Sequence, residues 1–195
     1  MSARMAFFAL VAALAASPAL AWTPSPAQLA QLARGDVVAE VLADDGRSSG
    51  LVHGAADIAA PQEAVYRIIT DCAGAHRIVA AIKSCKRVSG DEHKGWDVRE
   101  GLLDYGFPLP RVHIAFRSEF QPPDLVRFKC LPTAEVTACE GEWRLETLPD
   151  GRTRVLYQCW TAVALPAPSF FVRAILRRDI GEAMHSLRQA ATTAD

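Results

Sequence analysis

The C-terminal third of the chain constrains the fold most, because consecutive strand-like runs lead there into one long amphipathic helix. The strand-like runs cover residues 125–130, 137–148 and 154–164. After Pro168 the apolar residues change to helical spacing and keep it to about Gln189. A meander of antiparallel strands that ends in such a helix buries both apolar faces when the sheet curls around the helix. That shape leaves a hollow between the sheet and the helix.

The preceding residues predict a first hairpin, two helices and further strands. The expected strands cover residues 37–43, 51–58, 83–90, 94–105 and 112–120. Proline suits the first turn of a helix, so one helix is expected from Pro61 to about Cys72, and a second, short helix over 77–82. Prolines exclude strand pairing at 106–110, which is expected to be a loop. Consecutive strands with helices gathered in two places predict an α+β fold with an antiparallel sheet.

The N-terminus has the features of a signal peptide over residues 1–21. Arg4 provides a positive charge, residues 6–16 are apolar, and Ala19-Leu20-Ala21 fits the small-x-small cleavage rule. The apolar run is shorter than the roughly 20 residues that a membrane-spanning helix needs, which disfavours the alternative of an uncleaved anchor. We therefore expect cleavage after Ala21 and export to a bacterial periplasm. The exported chain would have a lead-in at 22–34 and one domain at 35–190.

Charge and motif content exclude several classes of function. The chain has 21 basic and 22 acidic residues, and nucleic-acid-binding domains are typically strongly basic, so nucleic acid is not an expected partner. The five histidines show neither HxH nor HExxH spacing, and the sequence contains no GxSxG elbow and no glycine-rich phosphate loop after a strand. No metal or cofactor is therefore expected. A monomeric binding protein fits this sequence better than an enzyme.

The five cysteines are consistent with an oxidising compartment, in which some of them would pair. Cys72 ends the helix-like run and Cys85 begins the next strand, so this pair would close a loop of roughly 14 residues. Cys130 and Cys139 flank one connection, and strand alternation places both on the inner face. We expect these two disulfides, with Cys159 as a free buried thiol. The alternative pairs Cys139 with Cys159.

Several segments together resemble one known superfamily. They are the proline-led helix 61–71, the strand Gly141-Glu142-Trp143-Arg144-Leu145, the turn Pro149-Asp150-Gly151-Arg152-Thr153 and the proline-flanked start of the final helix. In order and spacing, the chain from Gly35 to Gln189 resembles the START-like (SRPBCC) superfamily, and within it the polyketide cyclase and coenzyme Q-binding (COQ10-like) branch. The resemblance implies the helix-grip fold, a curved antiparallel sheet wrapped around a long C-terminal helix. That fold holds an apolar ligand in a cavity, and it has no universal catalytic residue to assign.

The resemblance implies binding or transport of a hydrophobic small molecule, such as a lipid, quinone or isoprenoid. Two alternatives remain: a protein-interaction module with a filled core, and an aromatase/cyclase-type enzyme. In the enzyme, polar pocket residues would perform the acid–base steps, with Tyr105, Glu100, Arg117 or Tyr157 as candidates. Because ligand pockets have volumes of about 300–1,000 Å³, the size of the cavity distinguishes a binder from a filled core.

The expected wall of the cavity follows from strand alternation and from the apolar start of the final helix. The candidate ligand-binding residues are Val112, Ile114, Phe116, Phe120, Phe128, Trp143, Tyr157, Phe171, Ala174 and Ile175. On the last strand, a shift of one residue would exchange the inward and outward faces. The inward set is therefore either Val155, Tyr157 and Cys159 or the alternating set that starts at Leu156, and we prefer the first.

Large apolar residues also occur where a soluble domain is usually polar. Phe107 and Leu109 lie in the proline-rich loop, and Phe170 lies at the start of the final helix. The resemblance places the loop and the helix start together at the mouth of the cavity, where these residues would form a gate. Arg173 and Arg177 would attract anionic headgroups, so a transient contact with a membrane surface is expected.

Overall fold

A computed structural model describes residues 21–43 and 50–193, so residues 1–20 of the expected signal peptide lie outside the described part of the chain. The strands are β1 (Val38–Leu42), β2 (Gly50–Ile58), β3 (Ile82–Asp91), β4 (Trp96–Leu103), β5 (Val112–Gln121), β6 (Leu125–Leu131), β7 (Val136–Thr147) and β8 (Thr153–Val163). The helices are α1 (Pro26–Ala33), α2 (Gln62–Thr70) and α3 (Ser169–Thr192), with short 3₁₀ turns at Ala75–Arg77 and Glu92–Lys94. Within the described ranges, none of these helices is long and apolar enough to cross a membrane.

All eight strands belong to one antiparallel sheet with the order β1-β2-β8-β7-β6-β5-β4-β3. Strands β3 to β8 follow one another as a meander. The first hairpin joins its far side, where β2 pairs with β8 and Gly50 lies opposite Thr161. The sheet curves around α3, which packs on β1, β2 and α2. This architecture confirms the predicted α+β fold with a long C-terminal helix.

The C-terminal half of α3 holds the helix against the sheet. Ile180, Met184 and Leu187 are nearly inaccessible to solvent and belong to the main hydrophobic core. Gly54 on β2 permits this close approach, because a Cβ at this position would lie 2.5 Å from the Ile180 side chain. A larger residue at position 54 would force the helix or the Ile180 side chain to move.

A smaller core covers the outer face of β1, β2 and β8. It contains Leu32, Val38, Ala55 and Leu156. Trp22 packs against this core, stacks on His53 at a centroid distance of 4.5 Å and donates its backbone N–H to Gln158 Oε1 at 2.7 Å. Since Leu156 faces this outer core while Tyr157 and Cys159 face the main one, the preferred orientation of β8 is confirmed.

The two expected disulfides are confirmed, and the alternative pairing is wrong. Cys72 pairs with Cys85 and Cys130 with Cys139, at Cα–Cα distances of 5.4 and 4.9 Å. Cys159 is a free, buried cysteine. The backbone pairing of β6 with β7 ends at Lys129 and Glu140, so the Cys130–Cys139 bond connects the two strands where their hydrogen bonds stop.

The expected second helix over 77–82 is wrong. Its start lies in the 3₁₀ turn Ala75–Arg77, and β3 already begins at Ile82, opposite Leu103 of β4. The stretch between the turn and the strand is too short for a helix, because pairing with β4 takes over at Ile82. The turn and the Cys72–Cys85 disulfide together carry the chain from α2 into the sheet.

Candidate ligand-binding cavity

A cavity of about 350 Å³ lies between the concave face of the sheet and α3. Residues of β2 to β8, α2, α3 and the 104–111 loop line it, and most of them are apolar. They share this surface because inward positions alternate with outward ones along each strand. The volume falls at the lower end of the range of about 300–1,000 Å³ that is typical of small-molecule sites. An open space of this size is not what the filled-core alternative predicts.

Eight of the ten candidate ligand-binding residues line this cavity: Val112, Ile114, Phe116, Phe120, Phe128, Trp143, Tyr157 and Ile175. The aromatic members form a continuous wall. The Tyr157 ring lies 4.5 Å from the Trp143 ring and 6.1 Å from the Phe128 ring between centroids. Phe116 meets Phe128 edge to face at 6.3 Å. Such a wall offers flat apolar surface to a ligand.

Phe171 and Ala174 lie outside the cavity, which differs from the expectation. Both side chains are exposed, Phe171 by 40%. On α3 the cavity-lining residues are Val172, Ile175, Leu176, Asp179, Ile180 and Ala183. Phe171 and Ala174 each precede one of these residues, and one residue turns a helix by about 100°, so they point away from the sheet.

The three expected gate residues divide into two groups. Leu109 is half-buried and lines the cavity, whereas Phe107 is fully exposed and Phe170 is 69% exposed. The structure therefore places Leu109 in the wall and the two phenylalanines on the surface. Single exposed apolar side chains are ordinary, but Phe170 and the adjacent Phe171 together form exposed apolar surface at the start of α3, and contiguous surface of this kind marks interaction sites.

The cavity contains a buried charge that the sequence analysis did not identify. Arg99 on β4 lines the cavity, and its side chain is 6% exposed. Its Nε donates to Asp97 Oδ2 at 2.7 Å, and Arg87 Nε donates to the same oxygen at 3.2 Å. The guanidinium also lies 5.4 Å from the centroid of the Phe120 ring. These contacts fix Arg99 in the wall of a mostly apolar space.

Three buried polar atoms of Arg99 and of residues that interact with it have no hydrogen-bond partner among the described residues: Arg99 Nη2, Asp97 Oδ1 and Tyr66 Oη. Burial and the charge of Glu92 raise the pKa of Tyr66 to about 12, so its hydroxyl stays protonated. A buried polar group without a partner costs about 1–3 kcal/mol. A ligand that brings a hydrogen-bond acceptor to Arg99 would recover part of that free energy.

A second polar contact lies at the other end of β4. Tyr105 follows this strand, Asp179 lies in the middle of α3, and the two side chains are neighbours at the wall of the cavity. Both residues line the apolar cavity and also a neighbouring polar hollow of about 230 Å³, which Arg178 and Glu182 share. Burial raises the pKa of Asp179 and that of Tyr105, and the negative charge of Asp179 raises the latter further.

The titratable groups inside the cavity differ in whether they could accept a proton at neutral pH. Burial raises the pKa of Cys159 to about 11 and holds the pKa of Tyr157 well above its ordinary value. Both groups therefore remain protonated at neutral pH, and a protonated group cannot act as a general base. Asp179 differs from them, because it is a carboxyl group whose pKa burial raises above the ordinary value.

Glu100 and Arg117, two of the residues considered for catalysis, face away from the cavity. Glu100 is exposed, and the Arg117 guanidinium lies over the Trp96 ring at 4.3 Å. Arg99 and Phe116 are paired across β4 and β5 and both line the cavity, so their chain neighbours must point outward. Tyr105 and Tyr157 do line it. The described residues contain no group of histidine, cysteine and acidic side chains that could hold a metal ion.

Solved structures with the same architecture come from distant relatives. A STAR-related lipid transfer protein from Xanthomonas axonopodis has a TM-score of 0.69 at 13% identity, covering 80% of this chain and 93% of that chain. The lipid transfer and protein localization domain of human StarD13 has a TM-score of 0.62 at 14% identity, covering 85% and 94%. The Zhui aromatase/cyclase from Streptomyces sp. R1128 has a TM-score of 0.58 at 18% identity, covering 73% and 91%. At such identities the likeness establishes the fold alone.

A curved antiparallel sheet around a C-terminal helix, with an apolar cavity between them, defines the START-like helix-grip class. The family model described as polyketide cyclase/dehydrase and lipid transport matches residues 50–192. The chain therefore belongs to this polyketide cyclase/dehydrase and lipid transport family, and the resemblance to the START-like superfamily is confirmed. No curated protein sequence matches the chain. Membership of the coenzyme Q-binding branch stays a prediction.

Proposed function

We propose that the protein binds and carries a hydrophobic small molecule, such as a lipid, quinone or isoprenoid, in the cavity between the sheet and α3. The observation that carries the proposal is the apolar cavity of about 350 Å³ in the centre of the fold. An unfilled apolar space sacrifices packing, and core cavities are costly to stability. A ligand that fills the space offsets this cost. The family description, which includes lipid transport, supports the same class of ligand.

Arg99 adds a polar requirement to this ligand. Its Nη2 is a buried donor without a partner among the described residues, in a wall that is otherwise mostly apolar. A carboxylate, phosphate or carbonyl oxygen is the group that such a donor recognises. The proposed ligand is therefore amphiphilic, with its polar atom beside Arg99 and its apolar part along the Phe116, Phe128 and Tyr157 wall. The small volume favours one chain or one compact ring system inside the cavity.

Export and a transient membrane contact complete the proposed function. The signal-peptide pattern and the two disulfides support a location in an oxidising compartment such as the periplasm. Phe107 and Phe170 would insert into the bilayer surface during loading. Arg173 and Arg177, which form no ion pair with a described residue, would face anionic headgroups. A carrier with this arrangement would collect its ligand from a membrane and cross the aqueous space as a monomer.

The test of the binding function fills the cavity. Ile114→Trp enlarges a side chain that lines it, and Ala174→Trp adds the same group on the exposed side of α3 as a matched control. We expect Ile114→Trp to abolish binding of a fluorescent fatty acid, while Ala174→Trp binds it as the parent protein does. Mass spectrometry of an organic extract of the periplasmic protein would identify the natural ligand. Equal binding by both variants would contradict the proposed site.

A further inference from the structure

The outer face of the sheet holds the main chain of Trp22, the first residue after the expected cleavage site. The Trp22 N–H donates to Gln158 Oε1 at 2.7 Å, and the Trp22 carbonyl accepts from Arg144 Nη2 at 2.6 Å. The two partners lie 136 and 122 residues further along the chain. The nitrogen that donates to Gln158 belongs to the Ala21–Trp22 peptide bond, so one side of that bond is fixed on the folded domain.

The side chain of Trp22 is held at the same place. Its indole stacks on the His53 ring, with 4.5 Å between centroids and 12° between planes, and packs against the smaller core. His53 is 4% exposed, and its Nδ1 lies 2.9 Å from Glu40 Oε1, which fixes the ring on which the indole stacks. Further along the lead-in, Pro24 is buried and Ser25 caps α1. Trp22 is therefore bound through its side chain as well as through both polar atoms of its backbone.

The outer site that receives Trp22 is assembled from strands far apart in sequence. His53 lies on β2, Arg144 on β7 and Gln158 on β8. His53 and Gln158 are paired across β2 and β8. The complete site therefore exists only after the first hairpin has joined β8. Until that step, Trp22 has no such site to occupy, and the peptide bond before it is not held.

We propose that this outer site binds the first residue of the exported chain, and that its occupation shields the Ala21–Trp22 bond from signal peptidase. The proposal rests on the export that is part of the proposed function. A peptidase must take the residues on both sides of the bond into its own cleft, and backbone that is hydrogen-bonded and packed resists this. Ala21 is exposed, so the protection comes from the Trp22 side. The signal peptide must then be removed before β2 closes on β8.

The outer site also accepts the product of cleavage. Hydrolysis breaks the Ala21–Trp22 bond with one water molecule, which leaves a carboxylate on Ala21 and an ammonium group on Trp22. That ammonium group can donate to Gln158 Oε1 as the amide did, and a charged donor forms the stronger hydrogen bond. Processing therefore strengthens the docking of Trp22.

The test measures cleavage of the full-length precursor by purified signal peptidase in mild detergent. The precursor is compared in its folded, disulfide-bonded form and in an unfolded form whose cysteines are reduced and alkylated. When opening is fast relative to cleavage, the rate follows the population of the open form. We expect the unfolded chain to be cut after Ala21 and the folded chain at least about 100-fold more slowly, because two hydrogen bonds and a ring stack must open first.

Arg144→Met and Arg127→Met separate this docking from the general stability of the sheet. Both arginines pair with Glu142 on the outer face, at 3.7 and 3.4 Å, but Arg144 is the one that donates to the Trp22 carbonyl. We expect Arg144→Met to accelerate cleavage of the folded precursor roughly tenfold, in a step nearly independent of urea, and Arg127→Met to leave it unchanged. Cleavage through global unfolding would instead depend strongly on urea, because it exposes much more surface.

Chymotrypsin provides a second measurement that does not depend on export. To cut the Trp22–Thr23 bond it must take the indole into its own specificity pocket, so this cut reports whether Trp22 has left His53. The new N-terminus at Thr23 is detected by mass spectrometry. On the folded protein, Arg144→Met should be cut there roughly tenfold faster than the parent, and Arg127→Met at the parent rate.

The two measurements separate the shielding from the proposed export. Equal cleavage of the folded and the unfolded precursor by signal peptidase, or equal rates for the two arginine variants, would overturn the shielding. An unfolded precursor that signal peptidase does not cut after Ala21 would count against export. The chymotrypsin rates would still decide whether the outer site holds Trp22.

Discussion

Arg99 and Arg87 donate to the same oxygen of Asp97 but stand in different surroundings. The Arg99 side chain is 6% exposed and lines the cavity, whereas Arg87 is 41% exposed and does not. Breaking a buried ion pair is costly because it leaves a buried charge with fewer partners. Substituting each arginine in turn therefore separates the effect of losing an ion pair with Asp97 from the effect of losing Arg99 in the cavity.

We predict that Arg99→Met weakens binding of a fatty acid at least tenfold, because it removes the cavity donor for the carboxylate. It should also lower the free energy of unfolding by about 3 kcal/mol. Arg87→Met is the control, with a loss of about 1 kcal/mol or less and unchanged binding. Titration with a fluorescent fatty acid and urea unfolding measure the two effects. Equal weakening by both variants would show that Arg99 acts only through the fold.

Asp179 predicts a pH dependence with a definite sign. Burial raises its pKa in the folded protein, although Tyr105 and Arg178 oppose the shift and Glu182 adds to it. The folded state therefore binds this proton more tightly than the unfolded state, so Asp179 favours folding at low pH and loses that effect as the pH rises through its folded pKa. The stability of the parent protein relative to Asp179→Asn should fall as the pH rises above about 4, where this carboxyl group ionises in the unfolded chain. Urea unfolding of both proteins across this range would measure it, and a constant or rising difference would contradict the assignment.

At the scale of elements, strand faces were predictable from the sequence and the face of α3 was not. Alternation in β5 and β7 identifies inward residues because each strand has only two faces. The start of α3 is apolar nearly all round, so helical spacing cannot choose between Phe171, Ala174 and Ile175. The side of α3 that faces inward depends on Gly54, which lies more than 100 residues away and lets Ile180 approach β2.

The charged residues of β4 were missed for a related reason. Asp97 and Arg99 alternate with Val98 and Glu100, so both faces of the strand carry charge and alternation alone does not identify the inward one. The register with β5 instead turns Arg99 inward beside the Phe120 ring. A buried charge is stable there because Asp97 neutralises it, and such a pair is recognised only when its partner is known.

The Cys130–Cys139 disulfide predicts a stability effect at the level of the β6–β7 connection. Its residues are 9 apart, and a loop of this size corresponds to about 2.5–3 kcal/mol in the chain-entropy model. We expect the free energy of unfolding of the Cys130→Ala/Cys139→Ala variant, measured with urea, to be lower than that of the parent protein by this amount. The Cys72→Ala/Cys85→Ala variant, which opens a loop of similar size, should lose about 3 kcal/mol. A loss well below 1 kcal/mol in both would contradict this entropic account.

At the scale of the whole molecule, the exposed aromatic residues predict membrane binding. Phe107 and Phe170 are exposed, and Phe170 lies on α3 with the basic residues Arg173 and Arg177. Each basic residue near an anionic surface contributes about 1 kcal/mol. We expect the protein to co-sediment with vesicles of phosphatidylglycerol and phosphatidylethanolamine at low salt. The Phe107→Ser/Phe170→Ser variant should lose this binding.

The matched control for membrane binding changes exposed apolar residues elsewhere. Leu42 and Val88 are 46% and 43% exposed and lie on the edge strands β1 and β3. Leu42→Ser/Val88→Ser should co-sediment as the parent does. If neither the parent nor this control binds the vesicles, the membrane step is removed from the proposed function. If both double variants lose binding equally, the contact is a general hydrophobic one.

The order of elements was thus available from local patterns, and both disulfides followed from pairs of cysteines close in sequence. The position of the first hairpin in the sheet could not be predicted from the sequence. Strands β1 and β2 could join either side of the meander without any change in local pattern. The pairing of β2 with β8 instead reflects the packing of α3 on both hairpin strands, which ties the start of the domain to its end.

That pairing has a kinetic consequence. Gly50 meets Thr161, so β2 finds its partner only after the chain through β8 has been made, and contacts so distant in sequence slow folding. During the proposed export, with the N-terminus leading, the first hairpin would wait with an unpaired β2 edge while the other strands emerge. Unpaired edges favour aggregation. A nascent chain of this protein should therefore depend on holding chaperones until its last strand arrives, and should become protease-resistant in one late step.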